Sequence, residues 1–422
     1  MIKSVKNSKF ISNVAMLLTG NIFGQLIPIL SSIILTRLYF PNDFAILAYF
    51  LTITGVLSVI VGGRYEIAIM LPKENIKANA LFLLSILFNI TITISVSILC
   101  FLFGEKFAQL FNASDLNKFI YLIPISIFFS GLYQSASFYS NRLSKYKLMS
   151  STIITRSIFT SSSNILFGWL KVFPGGLIIG TLIGQFVAAI IMSVSSIKEV
   201  LKDLPSKREI KLVLYEYKDF PLKNGVSIFF NLLANQVPIL FIGYLFHNNE
   251  IIGWYALVIR VLNTPLMTIG KSVSQVFYQK TNQEKSETNK NIFIKTSKAL
   301  FLIILLPTLI ILLFGPILFK IVFGQIWEIA GYYAQIFILF YMIRFVFSTQ
   351  STLLISSGKL KTELIFNVSF FLLQIISVIT GYLMGNHEYS FMLMSLTGTL
   401  QFIILGKILL NSCILMDSEK IS

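Results

Sequence analysis

The sequence predicts an all-α integral membrane protein with about twelve transmembrane helices, arranged as two six-helix bundles. Three observations lead to this prediction. Of the 422 residues, 55% are hydrophobic and only 12% are charged, and the mean hydropathy is +0.79. Apolar runs of about 20 residues or more recur along the whole chain. A long polar segment near the middle leaves equal numbers of runs on either side.

The apolar runs, taken in order, give the predicted spans. The hydrocarbon core of a bilayer needs about 20 helical residues to cross it. The first run is too long, and too polar at its end, for a cleavable signal peptide, so we expect it to remain as a span. The predicted spans lie at roughly 11–36, 43–63, 78–103, 119–140, 148–170, 174–196, 222–246, 251–270, 299–323, 329–356, 363–384 and 389–411.

The distribution of lysine and arginine predicts the orientation. If the N-terminus is cytoplasmic and the spans alternate, the inner segments hold about 26 basic residues and the outer segments about five, and three arginines lie within spans. Basic residues accumulate on the cytoplasmic side of membrane proteins, so both termini are predicted to be cytoplasmic. The net charge of +16 then follows from topology, and no nucleic-acid partner is needed to explain it.

The middle polar segment, 197–221, is predicted to be a cytoplasmic linker. Its apolar residues recur at helical spacing among basic ones, which predicts an amphipathic helix lying on the inner membrane surface. These apolar residues are Ile210, Val213, Leu214 and Tyr217. The predicted domains are therefore an N-terminal six-helix bundle at 1–196, the linker at 197–221 and a C-terminal six-helix bundle at 222–422.

The two halves of the chain look like copies of one another. At a shift of about 210 residues, Asn21, Gln25 and Pro28 match Asn231, Asn235 and Pro238. At a shift of about 214 residues, Lys145 matches Lys359. Because each half has an even number of spans, the repeats are predicted to be parallel. Transporters that rock two bundles around a central site have this arrangement.

Three arginines lie deep in apolar runs that contain no acidic residue: Arg156, Arg260 and Arg344. A lone arginine at the centre of a membrane costs about 2.5–3.5 kcal/mol on insertion scales. Each lies in a polar stripe at helical spacing, which faces a bundle interior or a water-filled cavity. Hydrogen bonds between helices would satisfy them individually. Since no acid is available for a buried pair, the three together favour a binding surface for an anion that crosses the membrane.

Two further groups are candidate binding residues. The matched amides, which are Asn21, Gln25, Asn231 and Asn235, offer both donors and acceptors. They either line a path for sugars or link neighbouring helices, and the sequence does not decide between these roles. Arg64 lies in Gly62-Gly63-Arg64-Tyr65-Glu66 at the inner end of the second span. It either contacts a diphosphate headgroup at the inner mouth or anchors the span, and anchoring is favoured.

Other chemistry finds little support in the sequence. Two cysteines and two histidines, all in separate segments, predict neither a disulfide framework nor a metal site. We find no cofactor motif and no phosphate-binding glycine loop, so no cofactor is predicted. The largest predicted outer loop has about 14 residues, which argues against a polymerase or an acyltransferase. No buried carboxylate is expected that would bind a coupling cation.

Three stretches carry a family resemblance. They are Asn42 to Lys73 with its Gly-Arg-Tyr-Glu and Leu-Pro-Lys elements, Gly131-Leu132-Tyr133-Gln134 leading to Asn141-Arg142, and Gly253-Trp254-Tyr255-Ala256 leading through Arg260 to Ser274-Gln275-Val276-Phe277-Tyr278. They resemble O-antigen and capsular polysaccharide flippases of the multidrug/oligosaccharidyl-lipid/polysaccharide exporter superfamily. In span count and order the resemblance covers nearly the whole chain.

This resemblance implies two lobes around a V-shaped central cavity in the bacterial inner membrane. It also implies that the cargo is an undecaprenyl-diphosphate-linked oligosaccharide, moved from the cytoplasmic to the periplasmic leaflet. If the resemblance extends to the cavity, its cationic residues in this chain would be Arg156, Arg260 and Arg344. The implied partners are membrane lipid, a polysaccharide polymerase and a chain-length regulator.

Two rival functions share the predicted architecture. A drug/cation antiporter needs an intramembrane acid for exchange of protons or sodium. A flippase for the lipid-linked peptidoglycan precursor usually carries terminal spans beyond the twelve predicted here.

Overall fold

The structure, a computed structural model, describes residues 2–110, 114–221, 225–283, 288–357 and 359–419. These residues are helical almost throughout and contain no β-strand. The chain forms two compact units, the first extending to Leu232 and the second beginning at Leu233.

The first unit contains six long helices. They are α1 (Ile2–Leu38), α2 (Pro41–Leu57), α3 (Asn75–Leu110), α4 (Ile123–Arg142), α5 (Tyr146–Trp169) and α6 (Gly176–Val200). Short helical segments connect them at Tyr65–Ala68, Ser114–Asn117 and Ile120–Leu122. A separate amphipathic helix, Lys207–Glu216, follows α6.

Six more long helices follow. They are α7 (Gly225–Phe246), α8, α9 (Asn289–Phe323), α10 (Glu328–Ser348), α11 (Leu360–Leu383) and α12 (His387–Glu419). Helix α8 consists of Asn249–Val258, a π-helical turn at Ile259–Asn263, and Thr264–Gln283. Short helices lie at Gln325–Trp327 and Thr352–Ser356.

The prediction of about twelve membrane helices is confirmed. Among the described residues, nine helices are long and apolar enough to cross a membrane, and Pro41–Leu57 and Leu232–Phe246 are shorter apolar helices. Helix α5 completes the set of twelve. Its serines and threonines make it more polar than the other helices. Several of these side chains donate hydrogen bonds to backbone carbonyls of the same unit, so they do not face lipid unsatisfied.

The packing of helices in the first unit repeats in the second. Helix α3 packs on α4, α4 on α6, and α5 on α6; likewise α9 packs on α10, α10 on α12, and α11 on α12. Lys145 and Lys359 are the N-cap residues of α5 and α11, with closely similar backbone angles (φ −80°, ψ 51° and φ −88°, ψ 44°). Each donates from Nζ to a serine of the sixth helix of its unit, Ser195 or Ser412, at 3.1 Å.

The ends of the same two helices also match. Lys171 and Gly385, which are 214 positions apart, both adopt a left-handed backbone conformation, with φ of 58° and 84°. The next amide closes the same turn in each case, from Val172 to the Phe167 carbonyl and from Asn386 to the Gly381 carbonyl. Both ends of the fifth helix therefore support the internal duplication that the sequence predicted.

Two prolines inside the long helices leave carbonyl groups that neighbouring helices satisfy. Pro28 lies within α1 and has no N–H to bond to the Gly24 carbonyl, four residues earlier. Ser157 Oγ of α5 donates to that carbonyl at 2.6 Å. In the second unit, Pro316 of α9 frees the Leu312 carbonyl, which accepts from Gln335 Nε2 of α10 at 2.8 Å. In a membrane, these bonds replace the water that a soluble protein would use.

The prediction that the amphipathic helix rests its apolar stripe on the membrane is wrong. Val213 is fully buried in a core cluster with residues of α3, α4 and α6, and Ile210, Leu214 and Tyr217 pack against the same cluster. Tyr65 donates from its hydroxyl to the Leu214 carbonyl at 3.2 Å. The stripe itself was correctly identified, but periodicity does not tell a protein surface from a lipid surface. The predicted linker at 197–221 is thus part of the first unit.

Candidate functional site

Two of the three intramembrane arginines lie near the middle of their own spans, and the third lies nearer to one end. At 1.5 Å per residue, Arg156 is roughly 14 Å along α5 from Lys147, and Arg260 is roughly 15 Å along α8 from Glu250. Both distances are about half of the 30 Å hydrocarbon core. Arg344 lies about 24 Å along α10 from Glu328, and is therefore nearer to the opposite end of its span.

Arg156 is half-buried on α5. Its guanidinium carbon lies 5.6 Å from the centroid of the Tyr133 ring on α4. Among the described residues, no carboxylate lies within ion-pair distance of Arg156. The positive charge is therefore stabilised by a ring face without being neutralised, because an aromatic quadrupole has no net charge.

Small residues bring α1 against α5 beside this arginine. A side chain at Gly20 would meet Ser150, and one at Gly24 would meet Ile153, both on α5. Such small residues at four-residue spacing allow close approach of membrane helices. The hydrogen bond between Ser157 and Gly24, described above, holds the two helices together. Arg156 precedes Ser157 and Gln25 follows Gly24 in the chain, so both lie at the level of this bond.

The two amides predicted on α1 are available for binding. Asn21 and Gln25 are half-buried, and neither side chain forms a hydrogen bond with any described residue. In the matched helix α7, Asn235 is half-buried and has contacts within the structure, while the side chain of Asn231 lies outside the described residues.

Arg260 lies in the π-helical turn of α8. Thr264 donates from Oγ1 to the Ile259 carbonyl at 3.0 Å within this turn. A π-helical turn inserts one extra residue into a helix and occurs often at functional positions. The turn packs on α10, and the Arg260 side chain is half-buried. The sequence carried no signal for this irregularity.

Arg344 is enclosed by aromatic rings. It is only 7% exposed, and its guanidinium carbon lies 5.7, 6.0 and 5.7 Å from the ring centroids of Phe340, Phe370 and Phe402. These rings come from α10, α11 and α12. The Nε of Arg344 is buried without a hydrogen-bond partner, and no described carboxylate lies within ion-pair distance. We call these three phenylalanines the ring cage.

The two buried cations occupy related places. Phe370 follows Arg156 by 214 positions, the same offset that relates Lys145 to Lys359. In the first unit the fifth helix supplies the arginine and the fourth supplies the ring of Tyr133. In the second unit the fourth helix supplies Arg344 and the fifth supplies the ring of Phe370. A guanidinium–ring contact therefore joins the fourth and fifth helices of each unit.

Arg64 is buried beside an acid. It adopts a left-handed conformation with φ of 60°, and its Nη1 lies 3.7 Å from Glu66 Oε1. Only 9% of Arg64 and 1% of Glu66 are exposed. A buried pair of this kind differs from a lysine or arginine that simply faces water at a span end.

Two carboxylates are buried near helix ends, although the sequence predicted acidic residues only in connecting segments or at span ends. Besides Glu66, Asp43 is 5% exposed in the first turn of α2, where its Oδ2 accepts from the Phe40 amide at 2.8 Å. Both acids lie near the ends of apolar runs, so the sequence placed them in connecting segments. Their burial depends on contacts between helices that a single run does not reveal. No group of three or more possible metal-ligating side chains occurs in the described parts of the chain.

The twelve long helices of the described residues lie in two units that share several helix pairings, which is a two-repeat membrane fold. Solved structures share it. An inward-facing multidrug resistance MATE family transporter of the MOP superfamily matches with a TM-score of 0.72 and 12% identity, over 92% of this chain and 95% of that one. The lipid II flippase MurJ, in an inward closed conformation, matches with a TM-score of 0.70 and 18% identity, over 94% and 86%.

A further MOP superfamily transporter, from Pyrococcus furiosus, matches with a TM-score of 0.61 and 13% identity, over 95% and 96% of the two chains. Its binding pocket is described as having reverse polarity. At these identities the likeness shows the fold alone. No curated protein matches the sequence significantly.

The sequence of this chain matches one protein family over more than half of its length. Residues 34–332 match the model of a family described as polysaccharide biosynthesis protein, and this chain belongs to that family. The chain therefore combines membership of a polysaccharide biosynthesis family with the fold of these membrane proteins. The protein is a multi-pass membrane protein.

Proposed function

We propose that this protein is a flippase for an undecaprenyl-diphosphate-linked oligosaccharide, an O-antigen or capsule repeat unit. It moves the cargo from the cytoplasmic to the periplasmic leaflet of the bacterial inner membrane by alternating access, with both termini in the cytoplasm. Membership of a polysaccharide biosynthesis family and a transporter fold support this proposal. A polysaccharide polymerase and a chain-length regulator would then act on the flipped unit.

The observation that carries the proposal is the un-neutralised cation at mid-membrane. Arg156 has a ring face and no described carboxylate as its partner, and it lies beside the unbonded amides of α1. A diphosphate satisfies such a guanidinium with charge-assisted, often bidentate hydrogen bonds. Asn21 and Gln25 supply donors and acceptors for the first sugars. The prenyl tail stays in lipid.

Arg260 and Arg344 extend the positive field. Arg260 also lies near the middle of its own span and is carried by the π-helical turn. The ring cage stabilises Arg344 without cancelling its charge, so Arg344 attracts an anion across the low-dielectric interior. Asn231, Asn235 and Arg64 complete the proposed set, with Arg64 nearest the cytoplasmic entrance.

The membrane potential favours this direction of transport. Moving one negative charge outward across a membrane with an inside-negative potential releases about 2.3 kcal/mol per 100 mV. A diphosphate carries more than one such charge, so the cargo itself responds to the potential. The arginines hold that charge while the protein changes from the inward-open to the outward-open state.

A cation antiporter of the same fold is the main rival. The buried acids Glu66 and Asp43 are observations in its favour, since exchange of protons or sodium needs a carboxylate. Both acids lie near helix ends, whereas the arginines occupy the spans and repel cationic drugs. A flippase for the peptidoglycan precursor is the second rival, because that lipid also carries a diphosphate.

A reconstituted flipping assay tests the proposal. Proteoliposomes receive a lipid-diphosphate oligosaccharide, lipid II or a cationic dye, and wild type is compared with Arg156→Ala, Arg260→Ala and Arg344→Ala. We expect oligosaccharide transport to fall roughly tenfold or more in Arg156→Ala, because a charged hydrogen bond contributes about 1.5–3 kcal/mol. The exposed Lys361→Ala serves as the matched control. Wild-type rates in all three arginine variants, or transport of the dye alone, would contradict the proposal.

A further inference from the structure

The second unit contains an apolar surface groove that the proposed cargo site does not use. It has a volume of about 540 Å³ and lies between α9, α10 and α12. Its walls are mostly apolar, with Ser297 and Lys298 as the polar members. Leu302 is 67% exposed, Phe301 40% and Ile403 37%, so the groove opens to the outside of the unit.

One lysine lines this groove, and a second follows one of its wall residues in the chain. Lys298 lines it directly and is exposed. Lys407 follows the wall residue Ile403 by one turn of α12 and is also exposed, so both residues share a face of that helix. Neither lysine forms an ion pair or a hydrogen bond with a described residue. The groove therefore combines an apolar channel with an unbalanced positive end.

The depth of these lysines matches the membrane interface. On α9, Lys298 is roughly 33 Å from Lys320, which pairs with Glu328 at the other end of the span. On α12, Lys407 is roughly 30 Å from His387 at the start of the helix. Both lengths equal the thickness of the hydrocarbon core, about 30 Å. Lys298 and Lys407 therefore lie at the level of phosphate headgroups.

We propose that this groove is a binding site for an anionic phospholipid of the cytoplasmic leaflet. The phosphate pairs with Lys298 and Lys407, and one acyl chain lies along Phe301, Leu302 and Ile403. Basic pockets between membrane helices on the cytoplasmic side bind anionic headgroups in this way. The choice of leaflet rests on the proposed orientation of the chain.

The size of the groove favours an ordinary acyl chain over the tail of the cargo. Sites of about 300–1,000 Å³ enclose ligands or segments of drug size. An acyl chain fits this length of wall, whereas an undecaprenyl chain is several times longer. The Ser297 hydroxyl already accepts a hydrogen bond from Gln350 Nε2 at 2.8 Å, so part of its polar capacity is used within the protein.

Native mass spectrometry of the purified full-length protein tests this site. Phosphatidylglycerol and phosphatidylcholine are titrated separately, and dissociation constants are measured for wild type and variants. We expect tighter binding of phosphatidylglycerol, and a loss of roughly fivefold for each of Lys298→Gln and Lys407→Gln. The exposed Lys361→Gln, on α11, should leave both constants unchanged. Ile403→Trp, which fills the groove from its exposed wall, should weaken both lipids.

Two outcomes would overturn the inference. One is equal affinity for phosphatidylglycerol in wild type and in the double lysine variant. The other is displacement of phosphatidylglycerol by an equal concentration of undecaprenyl diphosphate, if Ile403→Trp prevents the binding of undecaprenyl diphosphate. That result would assign the groove to the cargo. Loss of flipping in the arginine variants with unchanged lipid affinities separates this inference from the proposed function.

Discussion

The two units place an arginine at the same junction of helices and surround it differently. In the first unit, Arg156 meets one ring, that of Tyr133, and stays half-buried. In the second, Arg344 meets the three rings of the cage and is 7% exposed. Both contacts join the fourth helix to the fifth, in units whose packing otherwise repeats.

The difference shows two ways to keep a cation within a membrane. The ring cage stabilises Arg344 from inside the protein, with cation–π contacts that are worth about 2 kcal/mol or more when desolvated. Arg156 has a single ring, and a contact at a partly exposed site is worth about 0.5–1 kcal/mol. That falls short of the insertion cost of about 2.5–3.5 kcal/mol. Under the proposed function, water and the cargo supply the remaining stabilisation of Arg156.

The largest expected effect concerns the contact that positions Arg156. In Gly20→Val, the new Cβ would lie 2.8 Å from Ser150 Cα, so α1 and α5 must separate. We expect a loss of about 3 kcal/mol or more in the free energy of unfolding, at the upper end of overpacking costs. Thermal unfolding in detergent measures it, with the exposed Ile22→Val as control. An unchanged melting temperature in Gly20→Val would contradict this account of the helix seam.

A second prediction separates the two arginines by stability. Arg344→Ala leaves a cavity among three rings, which typically costs 2–5 kcal/mol for a large side chain, partly offset by removal of a desolvated charge. We expect a net loss of about 2 kcal/mol. Arg156→Ala should change stability by less than about 1 kcal/mol, because its site is half-exposed. Denaturant unfolding in detergent compares the two, and equal losses would show that the environments do not differ in energy.

The smallest predicted effect tests the single ring in the first unit. Tyr133→Leu removes the cation–π contact to Arg156, which is worth about 0.5–1 kcal/mol. We expect flipping to slow by roughly two- to fivefold, while Tyr133→Phe, which keeps the ring, transports as wild type. If Tyr133→Phe is as slow as Tyr133→Leu, then the hydroxyl and not the ring face matters.

Much of the fold could be predicted because its signals are local. Long apolar runs gave the membrane helices, and the residues at the start of α5 and α11 gave the duplication at an offset of 214. Arg156, Arg260 and Arg344 were found because a charge within an apolar run is costly wherever the run folds.

The rest depends on contacts between helices. The ring cage draws on three helices, and nothing near Arg344 in the sequence identifies Phe370 or Phe402. The burial of Glu66 and the docking of Val213 on protein likewise follow from tertiary packing. The π-helical turn at Arg260 is a local irregularity, but it has no composition signal of its own.

The binding of undecaprenyl diphosphate to purified protein tests the central claim most directly. The dissociation constant is measured for wild type, Arg156→Gln, the double variant Asn21→Ala with Gln25→Ala, and the control Lys361→Gln. Arg156→Gln should weaken binding by roughly 10- to 100-fold, the equivalent of one charged hydrogen bond. The amide variant and Lys361→Gln should retain wild-type affinity for this sugar-free lipid. An unchanged constant in Arg156→Gln would contradict the claim that Arg156 holds the diphosphate.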